Sequence, residues 1–389
     1  MVSYLFPTYS KKSLRIKEGR GAWLQTEDGK DYLDFMAGIA VCNLGHRHPK
    51  VVAALHQQVD RLWHASNLFH YDVQEEAAKQ LVQASACDYV FFTNSGTEAN
   101  EAAIKLARKA TGKNHIVSMK QSFHGRTLGS MAATGQDGIK SGFGPMLPSF
   151  SYAQFNDMAS LHEAVSEETA AIMVEIVQGE GGVHVMTASF AEAMVALCKE
   201  QNLLLIVDEI QTGMGRTGKL FAYEHYGLDP DIVTVAKGLG NGFPIGAMLG
   251  KASLKEAFGI GSHGSTFGGN PLAAATAIAV LAELSADGFL PEVEEKAERF
   301  VAYLKGELSG IAIVKDIRHK GFLIGIETAI PALDLIAACE QQGLLLLPAG
   351  SHVTRLLPPL TVSESEWRQA VAIIKQAATI YERENSFSS

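Results

Sequence analysis

The chain is short of cysteine, of long apolar runs and of positive charge, and each shortage excludes something. Its four cysteines, Cys42, Cys87, Cys198 and Cys339, are scattered through 389 residues with no CxxC pair. That speaks against a disulfide framework and suits a reducing compartment. The most apolar window, Pro271 to Ala282, ends at Glu283, whereas a membrane span needs about 20 such residues. Basic residues number 33 against 42 acidic ones, a net charge of −9. An acidic balance argues against nucleic-acid or anionic-membrane partners, though not against a local basic pocket. The start, Met1-Val-Ser-Tyr-Leu-Phe-Pro-Thr8, lacks a basic stretch leading into an apolar one, so no signal peptide is expected. There is no internal repeat, and only Asn385 to Ser389 reads as a frayed tail. The expectation is a soluble, cytoplasmic protein.

What is present is ordinary globular material, 47% hydrophobic and 19% charged, long enough for two or three domains and a large core. The middle of the chain alternates helical spacing with short apolar runs. Strands are predicted at Asp88 to Thr93, His115 to Ser118, Ala171 to Val177, Leu203 to Val207, Asp231 to Val235 and Gly246 to Gly250. Helices are predicted at Thr97 to Thr111 and Ser189 to Gln201. This alternation predicts a mostly parallel α/β sheet with ligands at the carboxyl ends of its strands. After Asn270 a long apolar helix (Leu272 to Leu284) and a charged one (Pro291 to Leu308) precede strands at Ile311 to Asp316, Phe322 to Glu327 and His352 to Leu357. A last helix spans Glu364 to Tyr381, which together reads as a smaller α+β domain. Near the start, Asp28-Gly29 between two apolar runs is a hairpin signal.

Two patterns mislead. Gly213-Met-Gly-Arg-Thr-Gly218 matches GxGxxG, but Asp208-Glu-Ile-Gln211 intervenes between strand and glycines. A dinucleotide turn runs directly from one to the other. The same stretch misses a P-loop because Leu220 follows Lys219 and offers no hydroxyl to Mg²⁺. His46, His48, His64 and His70 lack acidic or cysteine partners at metal spacing, so no metal site is expected.

Chemistry gathers elsewhere. Lys237 closes the apolar run Asp231 to Ala236 and opens a glycine-rich turn. A buried lysine is costly unless its charge is removed, as in a Schiff base; the alternative is a lysine reaching the surface. Asp208 ends the strand before it, 29 residues upstream, about one βαβ step. A buried carboxylate beside a buried lysine suits pyridoxal phosphate (PLP), whose pyridinium nitrogen needs an anionic partner. Gln211 lies three residues on, within reach of the ring's phenolate oxygen. Ser95-Gly96-Thr97 opens a helix, either as a plain N-cap or as an anion site. Phe123 could stack on a ring and Arg126 fork onto a carboxylate; each alone also fits packing or surface charge.

In combination these residues resemble the class III (ornithine-type) aminotransferases of PLP fold type I, from about Gly21 to Pro359. The matching segments are Leu44-Gly-His46, Asn94-Ser-Gly-Thr-Glu-Ala-Asn100, Phe123-His-Gly-Arg126, Glu175-Ile-Val-Gln-Gly-Glu180, Asp208 to Gly218, Ala236-Lys237-Gly and Gly264-Ser-Thr-Phe-Gly-Gly-Asn-Pro271. One departure is Ile176, where many relatives carry proline. The resemblance implies a large domain with a mostly parallel seven-stranded sheet (46–270), a smaller α+β domain (271–389), and an N-terminal segment (1–45) associated with the small domain. It implies PLP as cofactor, with Lys237 as Schiff-base lysine and proton shuttle. Asp208 would sit on the pyridine nitrogen, Gln211 on the phenolic oxygen, Phe123 on the ring, and Gly96 and Thr97 on the phosphate. Thr266 would reach the phosphate of a neighbouring subunit, making a homodimer with shared sites. Arg355 would take the α-carboxylate of 2-oxoglutarate, with Glu180 as its gate.

Phe35 to His46 and His64 to Phe69 are most similar to members that act on N²-acetyl-L-ornithine with 2-oxoglutarate. Ile39 stands where ornithine-specific relatives have tyrosine, which implies a pocket that prefers an amide to an ammonium. In that reading Arg126 clamps the distal carboxylate and Ser265 bonds the substrate. Sibling transaminases for succinylornithine, ornithine or 4-aminobutyrate remain open, as do a PLP aminomutase or decarboxylase. A dead binding module is disfavoured by intact Lys237, Asp208 and Arg355.

Overall fold

A computed structural model describes residues 4–386, with side chains through residue 383. Seven strands form the central sheet, in spatial order Tyr89–Thr93, Gly246–Gly250, Ile232–Val235, Leu204–Asp208, Thr169–Val174, His115–Met119 and Phe150–Ala153. All run parallel except Gly246–Gly250, which is antiparallel to both neighbours. Thr169–Val174 is buried along its whole length, as expected of a parallel sheet covered on both faces. The helix Gly96–Thr111 crosses one face and buries Ala99, Ala102, Ala103, Leu106 and Ala107. The four alanines let the helix lie close over Ile232–Val235 and Gly246–Gly250.

Three further sheets frame the centre. Val314–Lys320, Leu323–Thr328, Val353–Leu356 and Leu347–Pro348 form an antiparallel sheet. Ile16–Arg20, Trp23–Thr26 and Asp31–Asp34 form another, with Gly29 at φ +82° in the turn between the last two. That N-terminal sheet is completed by Leu344–Leu345, parallel to Asp31–Asp34. The apolar helix Pro271–Leu284 is mostly buried and packs on Pro49–Val59 and Asp72–Gln83, two helices that the periodicity did not single out. No single helix among the described residues is long and apolar enough to cross a membrane.

Two expected strands differ in extent. The run Ala171 to Val177 is two elements. The sheet strand stops at Val174, and Val177–Gln178 pairs instead with His184–Val185. Glu175 and Ile176 make the break; both are buried and the pair lies between Val174 and Val177, so the apolar run masks it. The strand expected from Ile311 begins at Val314, because the preceding helix needs a turn through Gly310 (φ +85°) to end. The tail expected at Asn385–Ser389 is helical through Ser386, and residues 387–389 lie outside the described residues, as do Met1 to Ser3.

The glycine-rich decoy has a structural explanation. Arg216 is fully buried there, donating from Nη1 to the Phe322 carbonyl at 3.2 Å and from Nη2 to Asn43 Oδ1 at 2.6 Å. Gly215 (φ +82°) leaves the room this requires: a Cβ there would lie 2.9 Å from Leu360. The loop therefore ties the central sheet to both ends of the chain.

Candidate active site

The carboxyl ends of the central strands open into a cavity of about 450 Å³, a size suited to a small molecule. Lys237, Asp208, Gln211, Phe123, Gly96, Thr97 and Arg126 all line it. Seven residues singled out from four sequence segments thus converge.

Lys237 follows the strand Ile232–Val235 and opens a short turn at φ +44°, a left-handed conformation that a lysine rarely adopts. Burial pulls its pKa below the usual range, with Glu180's charge opposing and Arg355's assisting. The shift enlarges the share of neutral, nucleophilic amine. Asp208 is 3% exposed and over-determined. Its Oδ2 lies 2.7 Å from His124 Nδ1 and accepts from Asn100 Nδ2 at 2.8 Å; its Oδ1 accepts the Ile210 N–H at 3.0 Å. Asn100 is in turn fixed by Thr234 Oγ1 and the His124 carbonyl. The sequence reading missed His124 and Asn100 in these roles, although both lie inside motifs it quoted.

The helix N-terminus at Gly96–Thr97 faces the same cavity. Ser95 caps it, and the first amides have no partner within the helix. Gly96 is required by a close approach: a Cβ would meet Ile210, between Asp208 and Gln211, at 2.8 Å. Thr97 Oγ1 contacts Thr127 Oγ1 at 2.7 Å. These donors, an aromatic face, a lysine and a buried acid make a set that fits PLP: amides for phosphate, Phe123 for the ring, Asp208 for its nitrogen.

Arg355 and Glu180 stand beside the cavity rather than in its lining. Arg355 is 1% exposed, and its Nη1 donates to Glu180 Oε1 at 2.7 Å, the Gly179 carbonyl at 2.8 Å and Gln211 Oε1 at 2.8 Å. Its Nε is buried without a partner, a spare donor for a carboxylate. Burial pushes the Glu180 carboxyl up, but Arg355, Lys237 and Gln211 together outweigh it and the net shift is down. Gln211 Nε2 also donates to Glu180, at 3.2 Å, so Gln211 spans cavity and ion pair. Arg126 extends over the Phe123 ring, 5.9 Å from its centroid.

Ser265 and Thr266 are elsewhere. They line clefts shared with Gly264, one of them bordered by Asn94, which also lines the cavity. Ser265 Oγ is engaged by Gly268 N–H at 2.9 Å and Asn94 Nδ2 at 3.3 Å, and Thr266 is exposed. Within one chain neither joins the cavity. Ile39 does not line the cavity either; Val41 does. Of the histidines set aside as metal ligands, His46 lies 2.7 Å from Asp34 Oδ2 and His64 packs on Phe267. One lining residue quoted without a role is Glu175.

Residues 6–378 match the family Aminotransferase class-III. The chain belongs to that family. Class III aminotransferases are PLP-dependent enzymes, and the mostly parallel seven-stranded sheet above matches their α/β fold. The chain is 57% identical, over 96% of its length and 98% of the relative's, to the acetylornithine aminotransferase of Halalkalibacterium halodurans. Among solved structures it is similar to the ornithine aminotransferase of Toxoplasma gondii, a structure with PLP at partial occupancy. The TM-score is 0.94, with 34% identity, 98% of this chain and 94% of that one covered. It is also similar to the N-acetylornithine aminotransferase of Stenotrophomonas maltophilia, with a TM-score of 0.83, 35% identity, and 96% and 97% covered.

Proposed function

We propose that this transaminase converts N²-acetyl-L-ornithine and 2-oxoglutarate into N-acetyl-L-glutamate 5-semialdehyde and L-glutamate, a step of L-arginine biosynthesis in the cytoplasm. The observation that carries the reading is 57% identity over nearly the whole chain to a protein of that activity. Bound PLP supplies an electron sink that lets a proton leave a substrate carbon. In this reading Lys237 holds the cofactor between turnovers, yields it to the substrate amine, and then moves the proton. Asp208, fixed by His124 and Asn100, holds the ring nitrogen; Gly96 and Thr97 hold the phosphate, and Phe123 covers the ring. Gln211 takes the phenolic oxygen as well as the ion pair it already touches.

Both substrates carry a carboxylate far from the reacting carbon, and 2-oxoglutarate carries a second beside it. Arg126 meets the first demand. Arg355 meets the second, and Glu180 masks it while the acylated donor is bound. Thr266 comes from a second copy of the chain, so the working unit is a homodimer; its absence from the lining of the chain's own cavity supports this. Ser265 acts from the same loop. The division into 1–45, 46–270 and 271–389 belongs to the same reading, and the pairing of Asp31–Asp34 with Leu344–Leu345 supports it.

Stopped-flow half-reactions with acetylornithine, succinylornithine, ornithine and 4-aminobutyrate test the assignment. Acetylornithine is expected to be fastest, with ornithine at least about 10-fold slower because its α-ammonium must be buried unpaired. Equal or faster turnover of free ornithine overturns it.

A further inference from the structure

Glu175 and Asp208 are neighbours by construction. Val174 and Val207 are paired in the parallel sheet, and each strand continues by one residue into an acid. Two buried carboxyl groups therefore stand side by side at the cavity floor, 5% and 3% exposed. Like charges so placed do not both ionise. Their hydrogen bonds are unequal. Asp208 has the Ile210 amide, Asn100 Nδ2 and the His124 ring around it. Glu175 has a single donor, the Phe123 N–H, 3.1 Å from Oε2. No arginine, lysine or histidine pairs with it within salt-bridge distance among the described residues. Among the described residues its Oε1 has no hydrogen-bond partner, and the residue lines the cavity.

We infer that Glu175 is held as a neutral carboxylic acid, and that in this state it is a positioning residue. One oxygen fixes the backbone of Phe123, the aromatic proposed to cover the cofactor ring, and the other presents an O–H to the cavity beside Asp208. The unequal donor sets assign the negative charge to Asp208 and the proton to Glu175. The groups facing Glu175 agree. Burial raises its pKa well above the usual carboxyl range; the Asp208 charge adds to this, the Phe123 amide and Lys237 oppose, and Glu180 adds again. A neutral donor next to the anion would leave Asp208 the charged member of the pair, the anionic partner that a pyridinium nitrogen needs. The role toward PLP rests on the proposed function; the protonation state does not.

The test separates the two. In cofactor-free protein at neutral pH, the infrared difference spectrum between wild type and Glu175→Gln should show the carbonyl stretch of a protonated carboxylic acid, lost in the variant. Its absence overturns the inference whatever the enzyme's substrate. In the loaded protein, Glu175→Gln keeps an acceptor and a neutral donor in place, so PLP affinity should stay within about 3-fold of wild type. The pH dependence of the visible band should also be unchanged from pH 6 to 9. Glu175→Ala should weaken PLP binding by at least about 10-fold, the scale of one or two lost hydrogen bonds. If Gln is as damaging as Ala, or Ala binds PLP like wild type, the positioning role is wrong.

Discussion

The carboxyl edge of the central sheet and the loop around Ser265–Thr266 contribute to one proposed site, yet they are built on opposite terms. At the sheet edge most polar groups are already answered, with Arg355 Nε, His124 Nε2 and Glu175 Oε1 the exceptions among the described residues. Asp208 has its ring of donors, Gln211 and Arg355 are interlocked, and a Cβ on Gly179 would lie 2.0 Å from Gln211 Oε1. In the loop, Thr266 is exposed, Phe267 is 59% exposed and Ile260 is wholly so. Exposed Leu68 joins Ser265 and Thr266 along one cleft. Apolar side chains left open together mark an association surface. The contrast supports the proposal that one chain carries the lysine and buried acid of the site, while the exposed loop is presented outward for a second copy.

The largest effects should come from the finished edge. Lys237→Ala should fold, bind PLP loosely and lose transamination by several orders of magnitude. It should also lose the adduct that borohydride fixes in wild type, as read by mass spectrometry. An unchanged rate would move the chemistry elsewhere.

Next come the arginines, which differ in burial and so in size of effect. Arg355→Ala removes a buried charge from Glu180, Gln211 and Gly179, and should slow the 2-oxoglutarate half-reaction about 100-fold while sparing the donor half. Arg126→Ala, at the cavity mouth, should weaken both halves by about 10-fold. Single-turnover rates for each half-reaction separate the two patterns; a uniform loss in both variants would remove the gate from the account.

Away from the cavity the effect should be smaller and show in stability. His46 is raised to about 10 by its hydrogen bond to Asp34 and then by Cys42. A raised imidazole stabilises the fold fully below its unfolded value near 6.5 and loses that contribution as pH climbs through about 10. His46→Gln should therefore cost about 1 kcal/mol at pH 7, screened by its partial exposure, and less at pH 10.5. Urea unfolding at the two pH values measures it; an equal loss at both would make the contact one of packing rather than charge.

The two regions were also unequally legible in the sequence. Lys237 and Asp208 could be found because each ends an apolar strand, and a separation of 29 in sequence is a βαβ spacing. Gly96 and Thr97 could be found because a helix start has a local signature. His124 and Asn100 could not: what makes them matter is a meeting 24 residues apart over a third residue more than 80 away, and no periodicity records that. Glu175 did leave a signal, an acid directly after a wholly buried strand, the same signal that exposed Asp208. It was passed over because the expected strand ran through it to Val177. Thr266 has no local signature beyond its motif, and its proposed role depends on a second copy of the chain.

The most direct test of the contrast is complementation between copies. Lys237→Ala and Thr266→Ala chains, co-expressed with different tags and purified as the heterodimer, would each be defective alone. If the loop serves the partner's cavity, one site in the heterodimer carries both defects and the other carries none. Activity should then rise to about half that of wild type per dimer. If the loop serves its own chain, the heterodimer will show no more than half the residual activity of the Thr266→Ala homodimer, and the two-copy site will be wrong.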